Sequence, residues 1–185
     1  MKRIFLAAAL TALPLSSHAD EVTDTLQSAI EAYEAGDVQY ALEEIAFAQQ
    51  LLQAMKTEGL VAFLPPAPQG WTREVNTEMG AGMAMFGGGT GAEADYSDGD
   101  TSFTITLMAD NPMVAAMAGM FANPMLMAAS GTITRVGRQK FLDQDGELTG
   151  LVNGRILVQA KGAPVEVMVP VLEEIDFRGL GSFGL

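Results

Sequence analysis

Methionine is the residue type in this chain whose number and spacing most suggest chemistry. The sequence contains 12 methionines, and most of them lie between residues 79 and 127. Thioether sulfurs are soft ligands that select Cu(I), but flexible methionine side chains also fill irregular apolar gaps. Two interpretations therefore stay open, namely apolar packing and a Cu(I) site. The methionines that such a site would use are Met83, Met85, Met117, Met120, Met125 and Met127.

The stretch from Asn111 to Thr134 contains no charged residue. A helix that is apolar on every face must be covered on every face. A sheet and the N-terminal helices can sandwich it, it can form a pocket or surface for an apolar small molecule or a protein partner, or it can enter a membrane. Asn123-Pro124 interrupts the run, and each half is too short to span a bilayer. We therefore expect no transmembrane segment in the mature chain.

A glycine-rich loop, residues 79–91, precedes this stretch. It lacks the Lys followed by Ser or Thr that a P-loop requires, so it does not predict a phosphate site. We expect this loop to be a mobile flap that closes over the helix of the uncharged stretch. We expect no cofactor. The resulting apolar binding site is predicted to consist of Met83, Met85 and Phe86 from the loop and Met113, Met117, Met120 and Phe121 from the helix.

The N-terminus has the three parts of a secretory signal peptide. Lys2 and Arg3 precede an apolar run, and Ser17 and Ala19 form a small-x-small cleavage site. We predict residues 1–19 as the signal peptide, cleaved after Ala19, and a periplasmic mature protein. His18 is the only histidine and cysteine is absent.

The mature chain therefore lacks the groups for Ser-His-Asp or Cys-His catalysis and for ordinary zinc sites. We predict that it is not an enzyme. Its formal charge of −13 becomes two units more negative when Lys2 and Arg3 leave. Such a chain is repelled by nucleic acid, so a periplasmic protein or an apolar small molecule is the expected partner.

Residues 20–58 are predicted to form an antiparallel pair of helices. Gly36 ends the first helix and Asp37 caps the second. Residues at helical spacing form one apolar stripe on each helix. The stripes are Val22, Leu26, Ile30 and Tyr33, then Val38, Ala41, Leu42, Ile45, Ala48, Leu52 and Met55. The turn Tyr33-Glu34-Ala35-Gly36-Asp37 with Tyr40-Ala41-Leu42 resembles that of a tetratricopeptide repeat. A single repeat cannot bury its own apolar face, so we expect it to dock on the rest of the protein or on a partner.

Residues 59–70, with three prolines between Pro65 and Pro68, are predicted to be a semi-rigid linker. Residues 71–185 are predicted to form a domain in which Trp71 anchors the first strand in the core. Asn111-Pro112 and Asn123-Pro124 each start a helix, and residues 164–177 form a closing helix. Strands are predicted at residues 71–77, 92–96, 102–108, 132–136, 138–143, 147–152 and 155–161. Antiparallel strands in succession indicate an α+β fold.

This element order resembles the PsbP/DcrB-like superfamily. The likeness covers residues 64–180 and rests on the Pro-x-Gly-Trp opening, the mid-chain helix, the antiparallel strands and the final helix ending Glu174-Ile175-Asp176-Phe177. The resemblance implies an accessory or binding protein of an extracytoplasmic compartment, of the exported bacterial kind. The helical hairpin in front departs from the superfamily core.

Overall fold

The computed structural model describes residues 17–76, 79 and 88–184. Within these residues it contains six helices and a seven-stranded antiparallel sheet, which confirms the predicted α+β fold. The helices are α1 Ser17–Glu34, α2 Val38–Val61, α3 Pro112–Phe121, α4 Pro124–Ser130, α5 Val165–Leu172 and α6 Phe177–Leu180. The strands are β1 Thr72–Asn76, β2 Thr90–Ser97, β3 Ser102–Ala109, β4 Thr132–Val136, β5 Gln139–Gln144, β6 Glu147–Val152 and β7 Ile156–Lys161.

The sheet has the order β1-β2-β3-β7-β6-β5-β4, and every neighbouring pair is antiparallel. The tight turn between β6 and β7 forms at Asn153 and Gly154, whose φ values are 49° and 69°. Two consecutive residues with positive φ match the right-handed twist of the flanking strands. Helices α3 and α4 connect β3, near the middle of the sheet, to β4 at its edge. The helix pair therefore lies against the sheet.

One face of the sheet carries the main hydrophobic core. Residues that alternate along the strands point into it, including Ile105 on β3 and Val158 on β7, and α5, α6 and the end of α2 cover them. Tyr96 stacks on Phe103 with ring centroids 5.0 Å apart. Its hydroxyl donates a hydrogen bond to the Pro65 carbonyl at 2.7 Å. Burial raises the pKa of Tyr96 to about 12.

The other face of the sheet divides into a polar part and a small apolar part. In the polar part, Thr106 donates to Glu93 at 2.8 Å and Gln159 donates to Glu147. These hydrogen bonds satisfy side chains that would otherwise lie unpaired on a sheet surface. Towards the other end of β3 and β7, Met108 and Leu157 form an apolar patch, and α3 packs there.

The proline-rich segment packs against the rest of the second unit. Helix α2 continues to Val61, so it runs into the range expected to be the linker. Leu64 and Pro65 are buried, and the Arg73 guanidinium donates to both of their carbonyls, at 3.3 and 3.2 Å. Trp71 packs against the core beside Phe103, with ring centroids 5.4 Å apart, as its predicted anchoring role requires.

The chain divides into two compact units, one ending at Leu52 and the other starting at Gln53. In the first, α1 and α2 pack together as an antiparallel pair. The turn is as predicted, with Gly36 at φ 83° and the Asp37 carboxylate accepting from the Tyr40 backbone N–H at 3.1 Å.

The residues buried in this hairpin match the expected stripes only at Val22, Ala41 and Ala48. Small side chains dominate the buried positions, and most of the large aliphatic residues are exposed. Short side chains let two helix backbones approach closely, so a seam of alanines is an effective way to pair them. The buried residues are Val22, Thr25, Ala29, Ala32, Ala41 and Ala48.

Candidate binding surface

Two Asn-Pro pairs build the helices of the mid-chain stretch, as the sequence predicted. The Asn111 side chain accepts from the Met113 N–H at 2.8 Å, and the Asn123 side chain accepts from the Met125 N–H at 3.0 Å. In each case proline occupies the first turn, where its missing N–H costs nothing. The second cap also breaks the run, so α3 and α4 meet at an angle of 101°.

The inner side of α3 is fixed to the sheet by a small apolar cluster. Val114 is buried against Met108 of β3 and Leu157 of β7. Met117 packs against the same cluster from the next turn of α3. Because these contacts lie on one side only, they leave the opposite side of the helix facing outward.

The outer side of the helix pair exposes large apolar side chains. Met113 and Leu126 are each 50% exposed, and Met125 is 83% exposed. Exposed alanines lie between them at positions 115, 116, 122, 128 and 129. We call the outward side chains of Met113, Met125 and Leu126 the uncharged surface, because no charged residue occurs between Asn111 and Thr134.

The corner where β3 enters α3 is held by polar contacts. The Asn111 amide donates to the Gly88 carbonyl at 2.7 Å. A Cβ on Gly89 would lie 2.7 Å from the Ala109 carbonyl oxygen, so only glycine permits this approach of the two backbones. From α2, the Gln53 side-chain amide donates a hydrogen bond to the Gly89 carbonyl at 2.7 Å. The start of α3 is therefore tied to residues 88–89, near the end of the glycine-rich loop.

Asp110 is the charged residue of this corner. It has φ 55°, a left-handed conformation that aspartate tolerates better than most side chains. Its carboxylate pairs with Lys56 at 3.0 Å and with Arg155 at 3.1 Å. The hydrogen bond from Lys56 holds the pKa of Asp110 below its ordinary value, Arg155 acts in the same direction, and partial burial opposes them.

The predicted apolar site is only partly visible in this arrangement. Met83, Met85 and Phe86 lie outside the described residues. On α3, Met113 faces outward, whereas Met117, Met120 and Phe121 are half-buried. Of the predicted residues, Met113 therefore belongs to the uncharged surface, and Met125 and Leu126 of α4 complete it.

The alternative Cu(I) ligands on α4 point in different directions. Met125 is 83% exposed and Met127 is 3% exposed, as expected for residues two positions apart on a helix. The Met120 sulfur lies 3.8 Å from the Ser130 hydroxyl. One metal ion cannot bind both Met125 and Met127 in this geometry. Among residues 17–76, 79 and 88–184, no group of three or more His, Cys, Asp or Glu side chains is arranged to hold a metal ion.

Sequence reasoning missed that Lys56, Asp110 and Arg155 lie together. They come from α2, the end of β3 and the start of β7, and no local pattern connects them. The available signal was Asp110-Asn111-Pro112, because Asp and Asn favour the left-handed and capping conformations that a sharp strand-to-helix corner needs.

Two open clefts of about 510 Å³ each lie elsewhere in the second unit. One is lined by residues of β1–β3 and β7, including Glu74, Asp95 and Lys161. The other lies beside α6 and includes Arg138, Glu173 and Arg178. Neither is lined by a predicted site residue.

In the part of the chain that the structure describes, no single helix has the length and apolar character needed to cross a bilayer. The bent α3–α4 pair reaches that length and composition only when its two helices are taken together. Comparison with known proteins identified no matching family model, no matching curated protein and no matching solved structure.

Proposed function

We propose that this chain is a non-catalytic binding protein of the periplasm, and that the uncharged surface is where it holds an apolar ligand or an apolar segment of a partner protein. The observation that carries the proposal is the exposure of Met113, Met125 and Leu126 within a stretch without charge. Large apolar side chains exposed on one element of the fold are typical of interaction sites.

The chemistry of the surface supports adaptable binding rather than catalysis. Methionine is flexible and polarizable, so it can follow the shape of different apolar partners. The helices beneath it are fixed at both caps and at the Val114 cluster. Because the backbone is already fixed, the conformational entropy lost on binding is limited to that of the side chains. Membership of the PsbP/DcrB-like group, proposed from the element order, agrees with such an accessory role.

The test uses N-phenyl-1-naphthylamine, an uncharged fluorescent probe, with the purified protein. Met113→Gln and Leu126→Gln should each weaken probe binding, and the double variant should weaken it by about tenfold. Both residues are half exposed, so the circular dichroism spectrum and thermal midpoint should change little.

The matched control is Phe47→Gln, which removes a large apolar side chain of similar exposure from the N-terminal hairpin. This control should leave probe binding unchanged. Equal probe binding by the wild-type protein and the Met113/Leu126 double variant would contradict the proposal. Met117→Asp is a poorer test, because Met117 also packs against the Val114 cluster and its loss would disturb α3 itself.

A further inference from the structure

The N-terminal hairpin carries a second exposed apolar region, separate from the uncharged surface. Its members are large apolar residues of the two helices, and on average half of each side chain is exposed. We call this region the hairpin face. It consists of Leu26, Ile30 and Tyr33 on α1 and Val38, Leu42, Ile45 and Leu52 on α2.

Helix geometry places the two stripes on the same side of the hairpin. Each residue turns the helix by about 100°. On α1, each exposed large residue follows a buried seam residue by one position, as Ile30 follows Ala29. On α2, Leu42 follows Ala41 in the same way. A step of one residue past the seam rotates the side chain by the same angle about each helix axis. Because the two helices run antiparallel, this rotation turns both stripes towards the same side of the hairpin.

The opposite side of the hairpin has a different character. The residues that precede the seam positions on α1 include Asp24 and Glu31, which are polar, and those on α2 are Tyr40 and Phe47. That side is therefore mixed, while the hairpin face is mainly apolar and is interrupted by Thr23 and Gln49, which follow the seam residues Val22 and Ala48. Two parallel rows of large apolar side chains with a shallow groove between them have the shape that receives a third helix.

The charge of the hairpin indicates which kind of partner helix the hairpin face would bind. Residues 20–52 contain eight carboxylates and no lysine or arginine. A helix is about 10 Å wide and the screening length in physiological salt is about 8 Å. The carboxylates therefore act on a partner that lies on the hairpin face. A second copy of the hairpin would bring an equal negative charge and be repelled.

We propose that the hairpin face is a docking surface for a basic amphipathic helix of a partner protein. Such a helix would place apolar residues at i, i+3, i+4 and i+7 in the groove between α1 and α2, and its lysines or arginines would be attracted by the net negative charge of the two helices. The inference concerns a different unit from the uncharged surface and does not rest on the function proposed for it.

The test uses three synthetic helical peptides of about 18 residues. One carries a leucine stripe flanked by lysines, the second has the same stripe flanked by glutamates, and the third has the composition of the first in an order that destroys the stripe. Fluorescence anisotropy with the purified protein should show binding of the first peptide alone. Raising the salt from about 0.05 M to about 0.5 M should weaken that binding by roughly tenfold.

Substitutions locate the binding on the protein. Ile30→Gln and Leu42→Gln should each weaken binding of the lysine-flanked peptide by about tenfold. The matched control is Phe47→Gln, since Phe47 is 45% exposed against 57% for Leu42 but lies on the opposite side of the hairpin. It should bind as the wild-type protein does, and so should the Met113/Leu126 double variant, which tests the other surface.

Three results would overturn the inference. The first is equal binding of the lysine-flanked and glutamate-flanked peptides. The second is loss of binding in Phe47→Gln with retention in Ile30→Gln and Leu42→Gln. The third is a dimer in sedimentation equilibrium that Ile30→Gln converts to a monomer, because the hairpin face would then be covered by a second copy of the chain.

Discussion

The hairpin face and the uncharged surface both leave large apolar side chains in contact with water, but they are built in different ways. On the hairpin, alanines occupy most of the buried positions between the two helices, and the large aliphatic residues are exposed. On α3–α4, two asparagine caps and the Val114 cluster fix the helices on the sheet. The hairpin face has many carboxylates on its own helices, whereas the uncharged surface has none.

The difference between the two surfaces shows that the exposure of apolar side chains does not by itself determine which partner binds. Charges around an apolar surface select by sign and accelerate association. Without charges, selection rests on shape and on the adaptability of methionine. The hairpin face should therefore discriminate between helices by charge, and the uncharged surface should accept varied apolar groups with little dependence on salt.

The largest expected effect distinguishes the two sides of α3. Val114→Asp would place a carboxylate among Met108, Leu157 and Met117, which offer it no hydrogen-bond partner. We expect a loss of about 3 kcal/mol or more in the free energy of unfolding. Met113→Asp, one position away on the outer side, should change it by no more than about 0.5 kcal/mol. Urea denaturation measures both values.

The pair of variants also tests the definition of the uncharged surface. If Met113→Asp were as destabilising as Val114→Asp, Met113 would be part of the packed interior. The contrast between the two surfaces would then disappear, because α3 would present no outward side to a ligand.

A smaller effect is expected at the corner that anchors α3. Asp110→Asn keeps a residue that accepts φ 55° but removes both ion pairs, so it should cost about 0.5 kcal/mol, since Asp110 is partly exposed. Asp110→Ala adds the strain of a left-handed alanine and should cost about 1–2 kcal/mol. Equal costs in the two variants would show that backbone conformation contributes nothing at this corner.

The pH dependence of this corner has a defined sign. The pKa of Asp110 is lower in the folded chain because Lys56 and Arg155 favour its charged form. The folded state therefore binds fewer protons at this site than the unfolded state, and the stabilisation is lost as the pH falls. Asp110→Asn should remove that part of the acid destabilisation, which denaturation at a series of acidic pH values would show.

The strands were predictable because their signals are local. Alternation along β3 and the turn residues between strands identify the meander, and Asn153-Gly154 defines its last hairpin. The two Asn-Pro starts were predictable for the same reason, since a capping side chain and a proline act within one helical turn.

The buried side of the hairpin was not predictable from the same patterns. Leu26, Ile30 and Tyr33 have the spacing of a buried stripe, but the seam uses Ala29 and Ala32, one position before. Which of two adjacent stripes is buried depends on how closely the two helices approach each other. The spacing of apolar residues along the sequence does not give that distance between helices. The Lys56–Asp110–Arg155 contacts were missed because they join segments remote in sequence.

The smallest expected effect tests the electrostatic half of the comparison on the hairpin itself. The hydrogen bond and negative charge of Glu44 raise the pKa of the exposed Tyr40 hydroxyl, and Glu43 and Asp37 add to this. Glu44→Gln should therefore lower the Tyr40 pKa towards its ordinary value, as followed by tyrosinate absorbance during an alkaline titration. Added salt should lower it in the same direction in the wild-type protein. Asp110 shows the opposite environment, since cations lower its pKa. A Tyr40 pKa that is unchanged in Glu44→Gln would mean that Glu44 does not set the potential on this side of the hairpin.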